Sequence, residues 1–265
     1  MSARFRVWLI VGVAAVVVAG TAVGVTLATR TDVKKSTSAP PPYASDPTAA
    51  PEIGQAVQEA LKAWPAGTGR RLRILAARYP RSALVRLELG LALALTGQQA
   101  DAKTAWQDAK KVQPDSPSAV RADDLAHPNA PPGLPPFVPT FSQPTSAAQT
   151  HLLRGAAFQQ ALRPLSAERE FRAAASAAPN DPEALTAAAV GLYDKDRPAA
   201  AFSRLGPLSK RFPKAQTVRF HLGLLLIYFG DLPSARRELT LARAEGPTTP
   251  LGRRAQTLLK AGRNG

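Results

Sequence analysis

The sequence contains no cysteine among its 265 residues. Disulfide bonds and thiolate metal sites are therefore excluded. The absence does not indicate a compartment, since many exported proteins also lack disulfides. Methionine occurs once, and isoleucine and asparagine are scarce, whereas alanine, arginine and proline are abundant. This composition is typical of a GC-rich bacterial genome, and its alanine content favours helices.

The sequence also lacks the groups of side chains that carry out catalysis. It has three histidines, and none is followed at helical spacing by a metal-ligand partner: His127, His151 and His221. The close carboxylates, Asp123-Asp124 and Asp194-Lys195-Asp196, fall at expected helix ends or turns, where solvation or capping explains them. There is neither a glycine-rich phosphate loop nor a Gly-x-Ser-x-Gly nucleophile elbow. We therefore expect no enzyme activity, no cofactor and no metal.

What the sequence does contain is a 34-residue pattern that runs three times without a gap through residues 148–249. A proline recurs at this interval, and so do two small residues and one bulky apolar residue. The matching positions are Pro179, Pro213 and Pro247; Gly155, Ala189 and Gly223; Ala167, Ala201 and Ala235; and Phe171, Leu205 and Leu239. A fixed period of this length is typical of a solenoid of stacked units.

Local signals agree with helices inside this period. Apolar residues recur at helical spacing between the conserved-interval positions. Asp181-Pro182 has the form of a helix start, with Asp181 as the N-cap and Pro182 as the first helical residue. Gly230-Asp231 has the form of a turn between two helices.

The pattern resembles the tetratricopeptide repeat (TPR), a helix–turn–helix module of the same period. The resemblance implies two antiparallel helices in each repeat. Small residues let the helix axes approach, a bulky residue one turn later fills the gap, and a proline ends the second helix. The alternative is an unrelated helical bundle that is rich in alanine by chance.

Two further repeats fit the same phase before the three clear ones. Residues 83–116 carry Gly90, Trp106 and Pro114 at family positions, whereas residues 49–82 have Thr68 in place of the close-packing alanine. Residues 250–265 are interpreted as a capping helix and tail. The expected fold is an all-α, right-handed solenoid of about five TPR-like repeats, preceded by a transmembrane helix.

That transmembrane helix is predicted from residues 7–28, an uncharged apolar stretch after a short tail of residues 1–6. As a helix it would span roughly 33 Å at about 1.5 Å per residue, enough to cross the hydrocarbon core. A cleaved signal peptide is the alternative, although its apolar region is usually only ~7–15 residues long. We predict a single-pass anchor in the cytoplasmic (inner) membrane of a bacterium, with the repeats outside the cytoplasm.

Two proline-rich parts lie between these elements. Residues 29–48 are interpreted as a polar stalk, extended and without a core. Residues 117–147 are interpreted as a helix that begins at Pro117, followed by a stretch whose prolines are too dense for a helix. That stretch carries apolar residues that a plain linker would lack: Leu134, Phe137, Val138 and Phe141. It is either a loop packed on a neighbouring surface or a segment that lies in the groove of the solenoid.

In the TPR family the first helix of each repeat lines a concave face. The residues that the resemblance assigns to protein binding there are Leu84, Leu87, Leu91, Gln159, Gln160, Tyr193, Phe220, His221, Leu224 and Tyr228, and Glu183 has an equivalent position. The face is apolar with amide and phenol groups, which suits an extended or helical segment of another protein. It lacks the basic residues with which family members grip a peptide carboxylate. The alternative for Phe220, Leu224 and Tyr228 is packing on the next unit.

The formal net charge of +15 is the other marked feature. Basic residues cluster at the second helices of several repeats, as in Arg70, Arg71, Arg73, Arg78 and Arg81. A solvated surface and contact with anionic lipid headgroups beside the anchor are both compatible with them. Because no stacking aromatic residue or recognition motif accompanies the charges, we expect no nucleic-acid partner.

These features predict a non-enzymatic, membrane-anchored scaffold or adaptor. It would bind a protein or peptide segment during assembly or maintenance of an envelope or membrane complex. The alternative is a permanent structural or accessory subunit of a larger membrane protein complex.

Overall fold

A computed structural model describes residues 39–264. Within this range there are twelve α-helices and no strand, so the predicted all-α class is confirmed. None of these twelve helices is long and apolar enough to cross a membrane. The predicted anchor, residues 7–28, and the first part of the predicted stalk lie outside the described residues.

The described residues up to Pro128 form one compact unit, here called the N-terminal unit. Its helices are α1 Pro51–Leu61, α2 Thr68–Arg78, α3 Ala83–Leu95, α4 Gln99–Val112 and α5 Pro117–Ala126. Each helix contacts the next one in the chain, and α3 also contacts both α1 and α5. The buried apolar residues of this unit form a single cluster.

The described residues from Asn129 onward form a second compact unit, the C-terminal unit. Its helices are α6 Ala147–Gln160, α7 Pro164–Ala177, α8 Pro182–Val190, α9 Ala199–Arg211, α10 Gln216–Phe229, α11 Leu232–Glu245 and α12 Pro250–Asn264. Each helix again contacts its successor. In addition α6 contacts α8, α8 contacts α10 and α10 contacts α12.

The predicted period is visible in the helix starts of the C-terminal unit. Helices α6, α8, α10 and α12 begin at residues 147, 182, 216 and 250, which gives intervals of 35, 34 and 34 residues. A helical hairpin therefore recurs about every 34 residues, as the sequence pattern predicts.

The predicted pairing of a small residue with a bulky one is also confirmed. A Cβ atom on Gly155 of α6 would lie only 2.3 Å from the ring of Phe171 in α7, and one on Gly90 of α3 would lie 2.2 Å from the indole nitrogen of Trp106 in α4. Such distances leave no room for a methyl group. The absence of a side chain at these two positions is what lets the two helices of each hairpin pack closely.

The predicted helix ends are present as well. Asp181 caps α8 by accepting a hydrogen bond from the Glu183 N–H at 3.1 Å. Gly230 ends α10 with a φ of 89°, a conformation that favours glycine because other side chains are strained there. Thr68, which stands where the pattern expects alanine, is fully buried and donates its hydroxyl hydrogen to the carbonyl oxygen of Ala60 at 3.1 Å. That bond satisfies the hydroxyl group.

The prediction of a stalk without a core is wrong for residues 41–48. Asp46 is buried, and its carboxylate accepts a hydrogen bond from the Ser118 N–H of α5 at 3.0 Å. The Ala44 N–H donates to the Glu88 carboxyl of α3 at 2.7 Å. These residues dock on the N-terminal unit because α3 and α5 supply partners for their polar groups.

Candidate functional site

The candidate site is the surface of α6, α8 and α10 on which residues 131–141 lie. We call these residues the Pro-rich segment and that surface the segment-binding face. The segment has no helix, as its proline density predicts. Its contacts decide between the two interpretations of this stretch: it lies on the first helices of the three hairpins.

Two side chains of the face hold the centre of the segment through its main chain. Gln159 of α6 accepts a hydrogen bond from the Phe137 N–H at 2.7 Å and donates one to the Pro135 carbonyl oxygen at 3.4 Å. His221 of α10 accepts a hydrogen bond from the Val138 N–H at 2.9 Å through Nε2. Neither contact depends on the side chain of the segment residue.

Two more side chains hold its ends. Glu183 of α8 accepts hydrogen bonds from both the N–H and the hydroxyl group of Thr140, at 2.6 and 2.7 Å. Tyr228 of α10 donates its hydroxyl hydrogen to the Leu134 carbonyl oxygen at 3.0 Å. Burial raises the pKa of Glu183, and the two bonds from Thr140 oppose that rise because they stabilise the charged form.

The positions of the prolines match this arrangement. Proline has no N–H, so Pro135, Pro136 and Pro139 need no acceptor. The remaining N–H groups between residues 135 and 140 belong to Phe137, Val138 and Thr140, and each has a partner on the face. The face thus satisfies the main chain of an extended segment without pairing it as a sheet would.

The side chain of Phe137 fills the centre of the face. It is 4% exposed, its ring lies edge-on to Phe171 at 5.2 Å between centroids, and it stacks on His221 at 5.0 Å. Phe171 is the residue that fits against Gly155. The close packing of α6 and α7 therefore also shapes the wall that receives Phe137.

His221 must be neutral to make these contacts. Because Nε2 accepts from Val138, the ring proton sits on Nδ1, which donates to the Thr217 carbonyl oxygen at 2.7 Å. Burial lowers the pKa of His221 to about 4; the bond to Thr217 opposes this and the charge of Arg254 adds to it. One tautomer of a buried, uncharged imidazole is thus fixed in place.

A cleft of about 330 Å³ remains open beside the segment. One wall is the segment itself, from Phe137 to Phe141, and the other is α6. Gln160 and the half-buried Arg254 of α12 supply its polar groups. The face is therefore not completely filled by the Pro-rich segment.

The structure brings together only some of the residues predicted to bind protein. Gln159, His221 and Tyr228 contact the Pro-rich segment, and Gln160 lines the cleft. Tyr193, Phe220 and Leu224 are buried within the core of the C-terminal unit. Tyr193 meets Tyr228 edge-on at 5.6 Å, and Phe220 meets His221 edge-on at 5.1 Å.

In the N-terminal unit the predicted residues are not available as a surface. Leu84 and Leu87 are fully buried in the core, and Leu91 is half-buried. The residue that holds a segment here is Glu88, through the Ala44 N–H. The sequence reasoning missed it, although a single acid inside the apolar run of α3 was a usable signal.

Glu88 is an unusual carboxyl group. It is 0% exposed, and burial raises its pKa to about 7 despite the hydrogen bond from Ala44 and the charge of Arg121. One of its oxygens accepts from Ala44, and the other has no hydrogen-bond partner among the described residues. We return to its effect on stability below.

Comparison with models of known protein families and with curated proteins gives no match to this chain. The functional inference therefore depends on the geometry of the segment-binding face.

Proposed function

We propose that the protein is a membrane-anchored, non-enzymatic scaffold or adaptor of the TPR type. It binds a protein or peptide segment during assembly or maintenance of an envelope or membrane complex. The observation that carries this proposal is the segment-binding face. Side chains from three successive first helices hold an extended stretch of polypeptide by its main chain.

The arrangement of the helices supports the TPR part of the proposal. Hairpins recur about every 34 residues, and each first helix contacts the first helix of the next hairpin. Stacked hairpins of this kind form a right-handed solenoid with its first helices on the concave side in the TPR family. Peptide contacts from α6, α8 and α10 agree with that assignment.

The membrane part of the proposal depends on residues 7–28. Their length and lack of charge favour a single-pass anchor in the cytoplasmic membrane, with the repeats on its outer side. Basic residues of α2, such as Arg70 and Arg73, are exposed and are compatible with anionic headgroups near the anchor. A reporter enzyme that is active only outside the cytoplasm, fused after residue 265, tests the topology.

The alternative, a permanent subunit of a larger complex, is favoured by one observation. Phe229 at the end of α10 is 59% exposed and packs edge-on against the half-buried Phe202 of α9. Large apolar side chains that remain exposed can mark a permanent interface. This surface belongs to the hairpin ends and not to the segment-binding face.

Site-specific photo-crosslinking in the native host separates the two. A photoreactive residue at position 160, beside the cleft, should capture a partner protein, whereas one at the exposed position 204 of α9 should not. Crosslinks at positions 204 and 229 but not at 160 would contradict the adaptor proposal and support the permanent subunit. Crosslinks at none of these positions would contradict both.

A further inference from the structure

We infer that the segment-binding face accepts, from a partner, an extended proline-containing peptide with an aromatic–aliphatic pair, and that residues 134–140 are the chain's own competitor for it. This inference rests on the proposed function, because it names the ligand class of the same face. The occupant is argued from the Pro-rich segment that is already seated there.

The first reason is that most of the recognition is directed at main-chain atoms. Three N–H groups and two carbonyl oxygens of the segment are bonded by only four side chains: Gln159, Glu183, His221 and Tyr228. A peptide from another protein presents the same groups if it is extended and has its prolines where no acceptor is offered. Proline also lowers the entropy lost when such a peptide is ordered.

The second reason is that the side-chain requirement is short. Phe137 and Val138 are the two buried apolar side chains of the segment, and Phe137 lies between Phe171 and His221. Thr140 adds its hydroxyl bond to Glu183. A ligand therefore needs an aromatic residue, an aliphatic residue and, two positions later, a hydroxyl group.

The third reason is that the segment joins the helical hairpins through parts that can move without unwinding a helix. Residues 142–147 on its C-terminal side are all exposed, and α6 has its own N-cap in Ser146, which accepts from the Gln149 N–H at 3.2 Å. On the other side Gly133 has a φ of 69°. The segment can leave the face while α6 stays intact.

Competition within one chain sets the expected size of the effect. A tethered segment has an effective concentration on the order of 1 mM. If the face binds such a segment with a dissociation constant on the order of 10 µM, the free face is populated about 1% of the time. An external peptide then binds the intact chain about 100-fold more weakly than a chain whose own segment cannot bind.

The test uses the full chain in detergent micelles and a fluorescein-labelled synthetic peptide of residues 131–142. In one variant, residues 134–141 are replaced by glycine and serine at the same length. Fluorescence anisotropy should show at least about 100-fold tighter binding to this variant than to the wild type. The control peptide, with serine at the positions of Phe137 and Val138, should bind neither chain.

A folded replacement variant that does not bind the peptide overturns the inference, and so does equal binding to wild type and variant. Folding is checked by circular dichroism. If the replacement variant is unfolded, the milder Phe137→Ser/Val138→Ser variant is used in its place. If both are unfolded, added peptide should restore helicity, and failure to restore it also overturns the inference.

The outcomes also separate this inference from the proposed function. A partner captured in cells at position 160, combined with no binding of the peptide to a folded variant, leaves the adaptor function in place and removes only the ligand class. Binding of the peptide without any cellular crosslink at position 160 removes the adaptor function and retains the peptide specificity of the face.

Discussion

Glu88 gives the stability of the N-terminal unit a pH dependence that can be worked out from the structure. Its carboxyl group is fully buried and has a pKa of about 7, against an ordinary value of 4.5. The unfolded chain therefore loses this proton at lower pH than the folded chain does. The resulting stabilisation is complete below pH 4.5 and is lost as pH rises from 4.5 through 7.

The magnitude follows from the difference between the two pKa values. Each pH unit corresponds to about 1.4 kcal/mol, so the step from 4.5 to about 7 corresponds to about 3 kcal/mol of unfolding free energy. That is a large part of the 5–15 kcal/mol or so that stabilises a typical domain. The charged groups that face Glu88 are Asp46 and Arg121, and the phenol of Tyr43 lies close to it.

The variant Glu88→Gln tests this reasoning, because an amide stays neutral and can still accept the Ala44 N–H. We expect the variant to be up to about 3 kcal/mol more stable than wild type at pH 8 and within about 1 kcal/mol of it at pH 4.5. Glu52→Gln, an exposed substitution on α1, is the control. It should change the stability by no more than about 0.5 kcal/mol at either pH.

Urea unfolding of residues 39–265, followed by tryptophan fluorescence, measures the effect in the right part of the protein. The two tryptophans in that range, Trp64 and Trp106, both lie in the N-terminal unit. If Glu88→Gln and wild type lose stability equally between pH 4.5 and 8, the carboxyl group is solvated in the folded protein and the reasoning is refuted.

Two other predictions concern the packing of the hairpins and the imidazole of the face. Gly90→Ala places a methyl group 2.2 Å from Trp106 and should lower stability by about 1–3 kcal/mol, whereas Gly69→Ala, at an open position of α2, should raise it by up to about 1 kcal/mol in the same urea assay; equal effects would contradict the close-packing role. The lowered pKa of His221 provides a stabilisation of about 3 kcal/mol that is complete above pH 6.5 and lost as pH falls from 6.5 through 4. NMR should show the Val138 amide protected from exchange at pH 6.5 and unprotected at pH 4, without such a step in His221→Gln, and an imidazole that titrates above pH 6 would contradict this.

The repeat architecture was largely predictable because its signals are local and periodic. A glycine on one helix and a bulky residue on the next, such as Gly155 and Phe171, recur at a fixed interval in the sequence. The N-cap Asp181 and the turn glycine Gly230 depend on neighbouring residues only. Short-range signals of this kind do not require knowledge of distant contacts.

The candidate site was predictable only in part. The apolar residues of the Pro-rich segment suggested a packed location, but the bonds to Gln159 and His221 connect main-chain atoms to residues 22 and 83 positions away. No side-chain pattern in the segment encodes such partners. Phe220 and Leu224 were assigned to the binding face because family positions do not distinguish a residue that lines a face from one buried just beneath it.

The missed docking of residues 41–48 has the same origin. Proline-rich composition is typical of extended stalks, and it carries no information about what the carboxylate of Asp46 will meet. Its partner, the Ser118 N–H, lies 72 residues further along the chain. Burial and hydrogen bonds together hold Asp46 in place: burial alone would raise its pKa, but the bonds from Ser118 and Thr48 lower it overall.

Docking of residues 41–48 also restricts how far from the bilayer the protein can work. If residues 7–28 cross the membrane, only twelve residues, 29–40, connect the lipid surface to the folded part, and a fully extended chain of that length reaches about 40 Å. A binding partner must therefore have its recognised segment within roughly one domain diameter of the lipid. Proteins that belong to the membrane, or that are held close to it, meet this requirement far more often than freely diffusing ones.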